Sequence, residues 1–493
     1  MPRALVAARA LALCLALGPA GSAAASGLKD DPEVAAQLEL LDAWLRTQMA
    51  YAGPPGMVIG IVHDQELVWL EAYGWADAAR KLPMRTDAVF RIASHSKLFT
   101  SVAAMRLRDA GRLQLDEPVQ RQLPWFKLKN PESSEITLRH LLTHSAGVPR
   151  EPATLHWVEH EFPTVDVVKA KLGEQEVAYP VETKWKYSNL GLTVVGLLVE
   201  KASGRTYADY VQAELLSPLG MASTWVGAPP PGERNRLAVG HGRRMPDGSR
   251  EQLPFIDAHA LDPATGVSSS VPDMLRFLSW QVRLRERGKT EILRASTLRE
   301  MQRVHWLRED WKSGWGLGFQ ISHTPERDLV GHGGAYPGYS TLTLLSPKEK
   351  VGVVVFTNET SSTAPRRFST KAFEWIAPAL VKAAGGPPKA APPDPAWQAY
   401  VGTYRSRWGD RRVLVLGGKL VTISPLDDDP LSGRLVLVPA GKHVFRIEGQ
   451  GFESHGERAR FELDASGRVK RLFLGNAYLT RVEEESTAAG PSM

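Results

Sequence analysis

Ala88-Val89-Phe90-Arg91-Ile92-Ala93-Ser94-His95-Ser96-Lys97 is the stretch from which the rest of the chain can be read. An extended run, Ala88 to Ile92, gives way to an apolar helical pattern, Leu98 to Leu107. On a helix, positions i and i+3 share a face, so Ser94 Oγ and Lys97 Nζ are expected to point into one cavity. A helix N-terminus also presents free N–H groups and partial positive charge, which favour an oxyanion forming there. Lys97 acts as a base only when neutral, and burial and the helix end both lower its pKa. A lone Ser-x-x-Lys is a frequent string, and a serine in that place is commonly just a helix cap.

Two further motifs change that weighing. Tyr187-Ser188-Asn189 precedes a helical pattern, Leu190 to Lys201. A phenol beside an ammonium is expected to ionise more easily, so Tyr187 would take the Ser94 proton and return it to a leaving group. Asn189 is placed to donate to a substrate amide. Gly331-His332-Gly333-Gly334-Ala335 comes just before a strand-like run, Tyr339 to Leu345. Glycines there let a substrate backbone approach an edge strand. The N–H groups of Ala335 and Ser94 are candidates for an oxyanion hole. Each motif alone reads as a cap or a turn. The three in this order are a set.

Around them, Met57–Val62 with Leu67–Tyr73, and Leu342–Leu345 with Val351–Phe356, read as two hairpins about short polar turns. Helical patterns dominate between them, including Tyr207–Leu216 and Met274–Leu284. Strands at both ends with helices between imply an α/β (α+β) fold, an antiparallel sheet from distant segments flanked by helices with a helical insertion.

The set resembles the serine β-lactamase and penicillin-binding-protein-like hydrolases, in particular the class C β-lactamase, D,D-peptidase, D-aminopeptidase and esterase branch. Ile136-Thr137-Leu138-Arg139-His140-Leu141-Leu142-Thr143-His144-Ser145-Ala146-Gly147, Gly266-Val267-Ser268-Ser269-Ser270 and Trp315-Gly316-Leu317-Gly318-Phe319 match that branch too, so the resemblance covers about residues 34–382. It implies that Ser94 is acylated and that Lys97 and Tyr187 share the base role. It also implies that Asn189, His332, Gly333 and Gly334 meet substrate, that the Ser94 and Ala335 amides form the oxyanion hole, and that no metal or cofactor is used. The third motif departs from the Lys-Thr-Gly usual in the β-lactamases. Lys is a fixed cation for a substrate carboxylate, whereas His332, with a reference pKa of about 6.5, is mostly neutral at pH 7. Gly333 lacks a hydroxyl donor. A D-amino-acid peptidase, carboxypeptidase or esterase therefore ranks above a true class C-like β-lactamase, with a small peptide, β-lactam or ester as the substrate. A catalytically inactive scaffold of the same fold is the third reading, and the intact Ser/Lys/Tyr set argues against it.

Residues 1–26 show basic residues, a short apolar run and Ala23-Ala24-Ala25, the pattern of a secretory signal peptide. The protein is thus expected to be exported, periplasmic or extracellular. No run approaches a membrane span. The only cysteine, Cys14, lies in that leader, and Leu13 before it disfavours a lipid anchor. Its loss would exclude disulfides and thiolate chemistry from the mature chain. Residues 27–382 are then the hydrolase domain, 383–395 a Pro/Gly/Ala linker, 396–485 a small antiparallel β-barrel resembling lipocalin-like domains, and 486–493 a tail. The role of the barrel stays open. The 493 residues carry a net charge of +6 spread evenly, which gives no nucleic-acid signature.

His156-Trp157-Val158-Glu159-His160 matches an inverted zinc-peptidase string. It sits between Pro152 and Pro163 with little periodicity, and reads better as a polar loop near the site mouth. His144, Arg139, His95 and Ser96 read as structural hydrogen-bonding residues.

Overall fold

Gly56–His63 is the axis of the larger sheet. It pairs antiparallel with Glu66–Asp77 on one side and with Val351–Thr357 on the other, in register Ile59 to Glu71 and Ile59 to Val355. Nearly every residue of Gly56–His63 and Val351–Thr357 is buried, because both faces of these strands are covered. Val58, Val62, Val354 and Phe356 point to one hydrophobic layer, and Met57, Ile59, Ile61, Val353 and Val355 to another. That is why these runs read as continuously apolar rather than alternating.

The computed structural model describes residues 27–360, 362–385, 394–427, 433–449 and 455–483. The leader, the tail and residues 386–393 of the linker lie outside the described residues. The chain divides into two units, one ending at Ala384 and one beginning at Gly385.

The first unit carries a nine-stranded sheet. From edge to edge its strands are Leu82–Pro83, Glu66–Asp77, Gly56–His63, Val351–Thr357, Tyr339–Ser346, Asp328–Tyr336, Gln320–His323, Ser313–Trp315 and Trp306–Leu307. Both expected hairpins are present, with turns at Asp64-Gln65 and after Ser346. The helical insertion covers one face with Ser96–Asp109, Asn189–Ser203 and Val271–Arg287. The expected helix at Tyr207–Leu216 is α-helical over Tyr207–Val211 and then widens to a π-type turn, Gln212–Leu216. The opposite face is covered by two helices that the motif reading did not include, Pro32–Ala52 and Ala364–Ala383. Asp31 caps the first, accepting from Glu33 N and Val34 N. Trp44 joins the two helices, its ring centroid 5.4 Å from those of Phe368 and Trp375. The helix reaches Ala383, the first residue of the expected linker.

The second unit is a closed eight-stranded antiparallel barrel. Seven of its strands are Gly402–Ser406, Gly409–Leu416, Lys419–Ile423, Leu435–Gly441, Val444–Gly449, Arg458–Leu463 and Val469–Leu474, in the segment expected to form a barrel. The eighth, Ala477–Arg481, was not anticipated, and it closes the cylinder against Gly402–Ser406 through Tyr404 and Arg481. Tyr404, Val413, Leu420, Leu437, Ile447, Phe461 and Leu472 fill the interior. Closure leaves no sheet edge.

Candidate active site

Val89–Arg91 is a short strand paired with Val267–Ser270. It leads into a 3-10 turn, Ala93–His95, and then the Ser96–Asp109 helix. Ala93 adopts φ +52°, a left-handed conformation that L residues enter at a cost of about 1 kcal/mol or more. That corner places Ser94 at the helix mouth with Lys97 one turn on. Lys97 is 1% exposed. Its Nζ lies 3.0 Å from Ser94 Oγ, and donates to Asn189 Oδ1 at 2.7 Å and to the Ala264 carbonyl at 2.7 Å. The Tyr187 hydroxyl donates to Ser94 Oγ at 2.9 Å, and its ring lies 4.9 Å from Lys97 Nζ. Hydroxyl, amine and phenol from two of the motifs thus meet at one oxygen.

Asn189 opens its helix, whose cap is Ser188: its side chain accepts from Gly191 N and donates to the Pro149 carbonyl. The backbone N–H groups of Asn189 and Leu190 both bond to the Arg150 carbonyl. Those contacts bring Tyr187 and Asn189 to Lys97 although 90 and 92 positions separate them from it in sequence.

Ser94, Tyr187 and Asn189 line one cleft of about 1150 Å³ with Gly333, Gly334 and Ala335. Gly334 has to be glycine: an added Cβ would stand 2.3 Å from the Ile92 carbonyl oxygen, two residues before Ser94. At Gly333 the nearest atom would be 3.5 Å away, so that position has room for a side chain. Trp157, Trp185, Tyr336 and Leu253 make much of the remaining wall apolar, with Arg150, Glu151, Glu251 and Arg366 as its charges.

Burial sets the electrostatics. It holds the Lys97 amine well below its usual range, with Arg150 adding to the effect and Glu151 opposing it. It also pushes the Tyr187 hydroxyl up, which overrides the easier ionisation expected beside an ammonium. The resting phenol is neutral.

A profile of the β-lactamase family matches residues 41–372. The chain belongs to this β-lactamase family. Penicillin-binding protein 4* of Bacillus subtilis (strain 168) is 27% identical over 326 residues, 63% of this chain and 70% of that protein. Protein flp of Staphylococcus aureus (strain N315) is 26% identical over 321 residues, 63% of this chain and 61% of that protein. Among solved structures, the octameric penicillin-binding protein homologue from Pyrococcus abyssi aligns with a TM-score of 0.60 at 23% identity, covering 90% of this chain and all of that one (100%). D-amino acid amidase from Ochrobactrum anthropi SV3 complexed with D-phenylalanine aligns with a TM-score of 0.60 at 22% identity, over 71% of this chain and 99% of that one. At these identities the two structures speak for the β-lactamase-like fold alone.

Within that fold His332 departs from its expected place. It is 4% exposed and is not among the residues lining the cleft. Its ring packs 6.2 Å from His95 and 5.5 Å from Trp315, with Nδ1 2.5 Å from the Gly333 carbonyl oxygen. Burial, then Lys97 and His95, hold it well below its ordinary pKa. The residues read as structural do bond that way. His95 Nδ1 lies 2.9 Å from the Ile92 carbonyl and 3.0 Å from Thr341 Oγ1. Ser96 Oγ donates to the Ala93 carbonyl and accepts from Val267 N. His144 Nδ1 accepts from Ser188 N, and its ring lies 4.5 Å from that of Tyr187. Arg139 forms a two-pronged pair with Asp116. His156–Glu159 is a single helical turn rather than a loop, and His156 is fully buried.

The motif reading missed Ala264 and Glu151. Ala264 contributes a backbone carbonyl, which has no side-chain signature. Glu151 stands four residues past the Ile136–Gly147 match, a lone acid with no pattern around it.

Proposed function

We propose that this protein is an exported serine hydrolase that cleaves amide or ester bonds through an acyl-enzyme on Ser94. The observation that carries this reading is the set of three contacts at Lys97. A neutral amine has two hydrogens and one lone pair. The Asn189 and Ala264 oxygens, each at 2.7 Å, accept the two hydrogens. The lone pair then faces Ser94 Oγ, 3.0 Å away. Held below its usual pKa by burial, Lys97 is the base.

As Ser94 Oγ bonds to the carbonyl carbon, its proton passes to Lys97 Nζ. The carbonyl π pair moves to oxygen, where the N–H groups of Ser94 and Ala335 stabilise it. The tetrahedral adduct collapses, the bond to the leaving nitrogen or oxygen breaks, and the Tyr187 hydroxyl gives that atom a proton and regains one from Lys97. An ester on Ser94 and a free amine or alcohol result. Water then attacks the ester, loses a proton to Lys97, and the carboxylic acid leaves as Ser94 recovers its hydrogen.

The third motif directs the choice of substrate. With His332 turned inward and neutral, no motif cation faces the cleft to hold a β-lactam carboxylate. The apolar wall suits a substrate with a bulky apolar group. D-amino-acid amides, peptides and short esters are therefore favoured over β-lactams. The test is a panel of D-amino-acid amides, D-Ala-D-Ala peptides, nitrophenyl esters and nitrocefin, with Ser94→Ala as the control. Turnover of amides or esters that vanishes in the variant is the expected result. Nitrocefin as the best substrate would overturn the ranking, and no turnover of any member would overturn the enzyme.

A further inference from the structure

Beyond the trio lies a second row of polar groups that the three motifs do not contain. Glu151 is gathered by donors from separate places. Asn189 Nδ2 donates to its Oε1 at 2.6 Å, and Arg150 Nε donates to the same oxygen at 3.2 Å. His156 Nε2 stands 3.3 Å from Oε2. His156 is itself fixed, with Nδ1 2.8 Å from Thr154 Oγ1 and its ring 4.7 Å from that of Phe162. The other end of the Asn189 amide, Oδ1, accepts from Lys97.

A primary amide has one accepting end and one donating end. An ionised carboxylate only accepts, so it holds the donating end. The oxygen of Asn189 is thereby turned to Lys97, and the flipped amide would set two acceptors together at Glu151. We propose that Glu151, braced by His156, is a positioning residue that fixes the orientation of the Asn189 amide and, through it, the place and charge of Lys97. The inference rests on the serine-hydrolase reading.

The groups facing each partner are known. Around Lys97 stand Ser94, Tyr187, Asn189, the Ala264 carbonyl and the charges of Glu151 and Arg150, with His95, His144 and His332 near enough to feel its charge. Around Glu151 stand Arg150, His156, Trp157 and Asn189. Its donors, together with His156, outweigh its burial and hold it below the usual carboxylate range, so it is ionised at neutral pH. Its charge favours the ammonium form of Lys97.

The experiment measures phosphonylation of Ser94 in the full-length protein by two fluorophosphonates, one neutral and one bearing an ammonium, between pH 5 and pH 10. In Glu151→Gln an oxygen still accepts from Asn189 but the charge is gone. The alkaline plateau is expected within about threefold of wild type, with the rise in rate displaced to lower pH. In Glu151→Ala the amide loses its anchor, and the plateau is expected to fall about 10- to 100-fold for both probes alike. A wild-type pH profile in Glu151→Gln overturns the inference, and this variant decides even where Glu151→Ala fails to fold. A loss confined to the ammonium probe also overturns it, because Glu151 would then be touching substrate. Wild-type protein that takes no label overturns the hydrolase reading itself, so the two failures are distinct.

Discussion

The two units bury opposite things. Among the described residues of the barrel, the one buried polar side chain besides tyrosine is Thr422, and arginines such as Arg446, Arg458 and Arg460 face outward. The first unit buries Lys97, Arg91, His95, His144, His156 and His332. Arg91 is fully buried and donates to the carbonyls of Gly227 and Gly266. Each such group costs desolvation free energy that hydrogen bonds only partly offset. The first unit can carry that cost because its sheet has a hydrophobic layer on both faces, whereas the barrel has a single interior. Lys97 is the sharpest case: under the hydrolase reading its burial serves reactivity at a cost in stability, while burial in the barrel serves stability alone.

The largest expected effect is at Lys97. Lys97→Met should slow labelling of Ser94 about 1000-fold, as loss of a general base does, and raise the melting temperature. The sign of the pH dependence follows from linkage. The folded protein binds the Lys97 proton more weakly than the unfolded chain, whose lysine has a model value of 10.5. Wild-type stability therefore rises as pH climbs from the folded-state value toward 10.5, and Lys97→Met should lose that rise. Melting curves from pH 6 to pH 10 check both parts, and a variant less stable than wild type throughout would break the contrast. Tyr187→Phe comes next. It removes the proton carrier and should lower turnover of a nitrophenyl ester about 100-fold, with the melting temperature nearly unchanged.

Gly334→Ala should cost about 1–3 kcal/mol by overpacking against Ile92, and should move the strand away from Ser94. Gly333→Ala, with room for a Cβ, should stay within about 0.5 kcal/mol of wild type. Urea titration of the pair sharpens the contrast, since the two positions are neighbours on one strand. The smallest effect on chemistry is expected from the barrel. Leu472→Ala should destabilise that unit by about 2–5 kcal/mol and leave the labelling rate of Ser94 within twofold. A large drop in labelling would show that barrel packing is not confined to stability.

How much of this was legible in the sequence depended on where the physics is local. The hairpins at Met57–Tyr73 and Leu342–Phe356 announced themselves because apolar runs of strand length flank short polar turns. Ser94 and Lys97 did so because one helical turn links them. The Pro32–Ala52 helix did not, since its buried stripe is narrow: Val34, Leu38, Leu41 and Leu45. Ala364–Ala383 carries Pro365 and Pro378, and proline near a proline-rich linker reads as a break. The eighth barrel strand has one buried side chain, Leu479, and an exposed Tyr478, too little alternation to stand out. In the site, residue type and order gave the trio and Asn189. The direction of the His332 ring and the neutral state of Tyr187 depend on burial, a property of the packed fold. Glu151 and the Ala264 carbonyl matter through contacts across long sequence separations, which no local pattern encodes.

The central claim is that Ser94 is a nucleophile made reactive by a neutral Lys97. Intact-mass analysis of the protein after treatment with a fluorophosphonate, followed by peptide mapping, tests it most directly. One adduct per chain, on the peptide containing Ser94 and absent in Ser94→Ala, is the predicted result. An adduct that persists in Ser94→Ala, or maps to another residue, would contradict it.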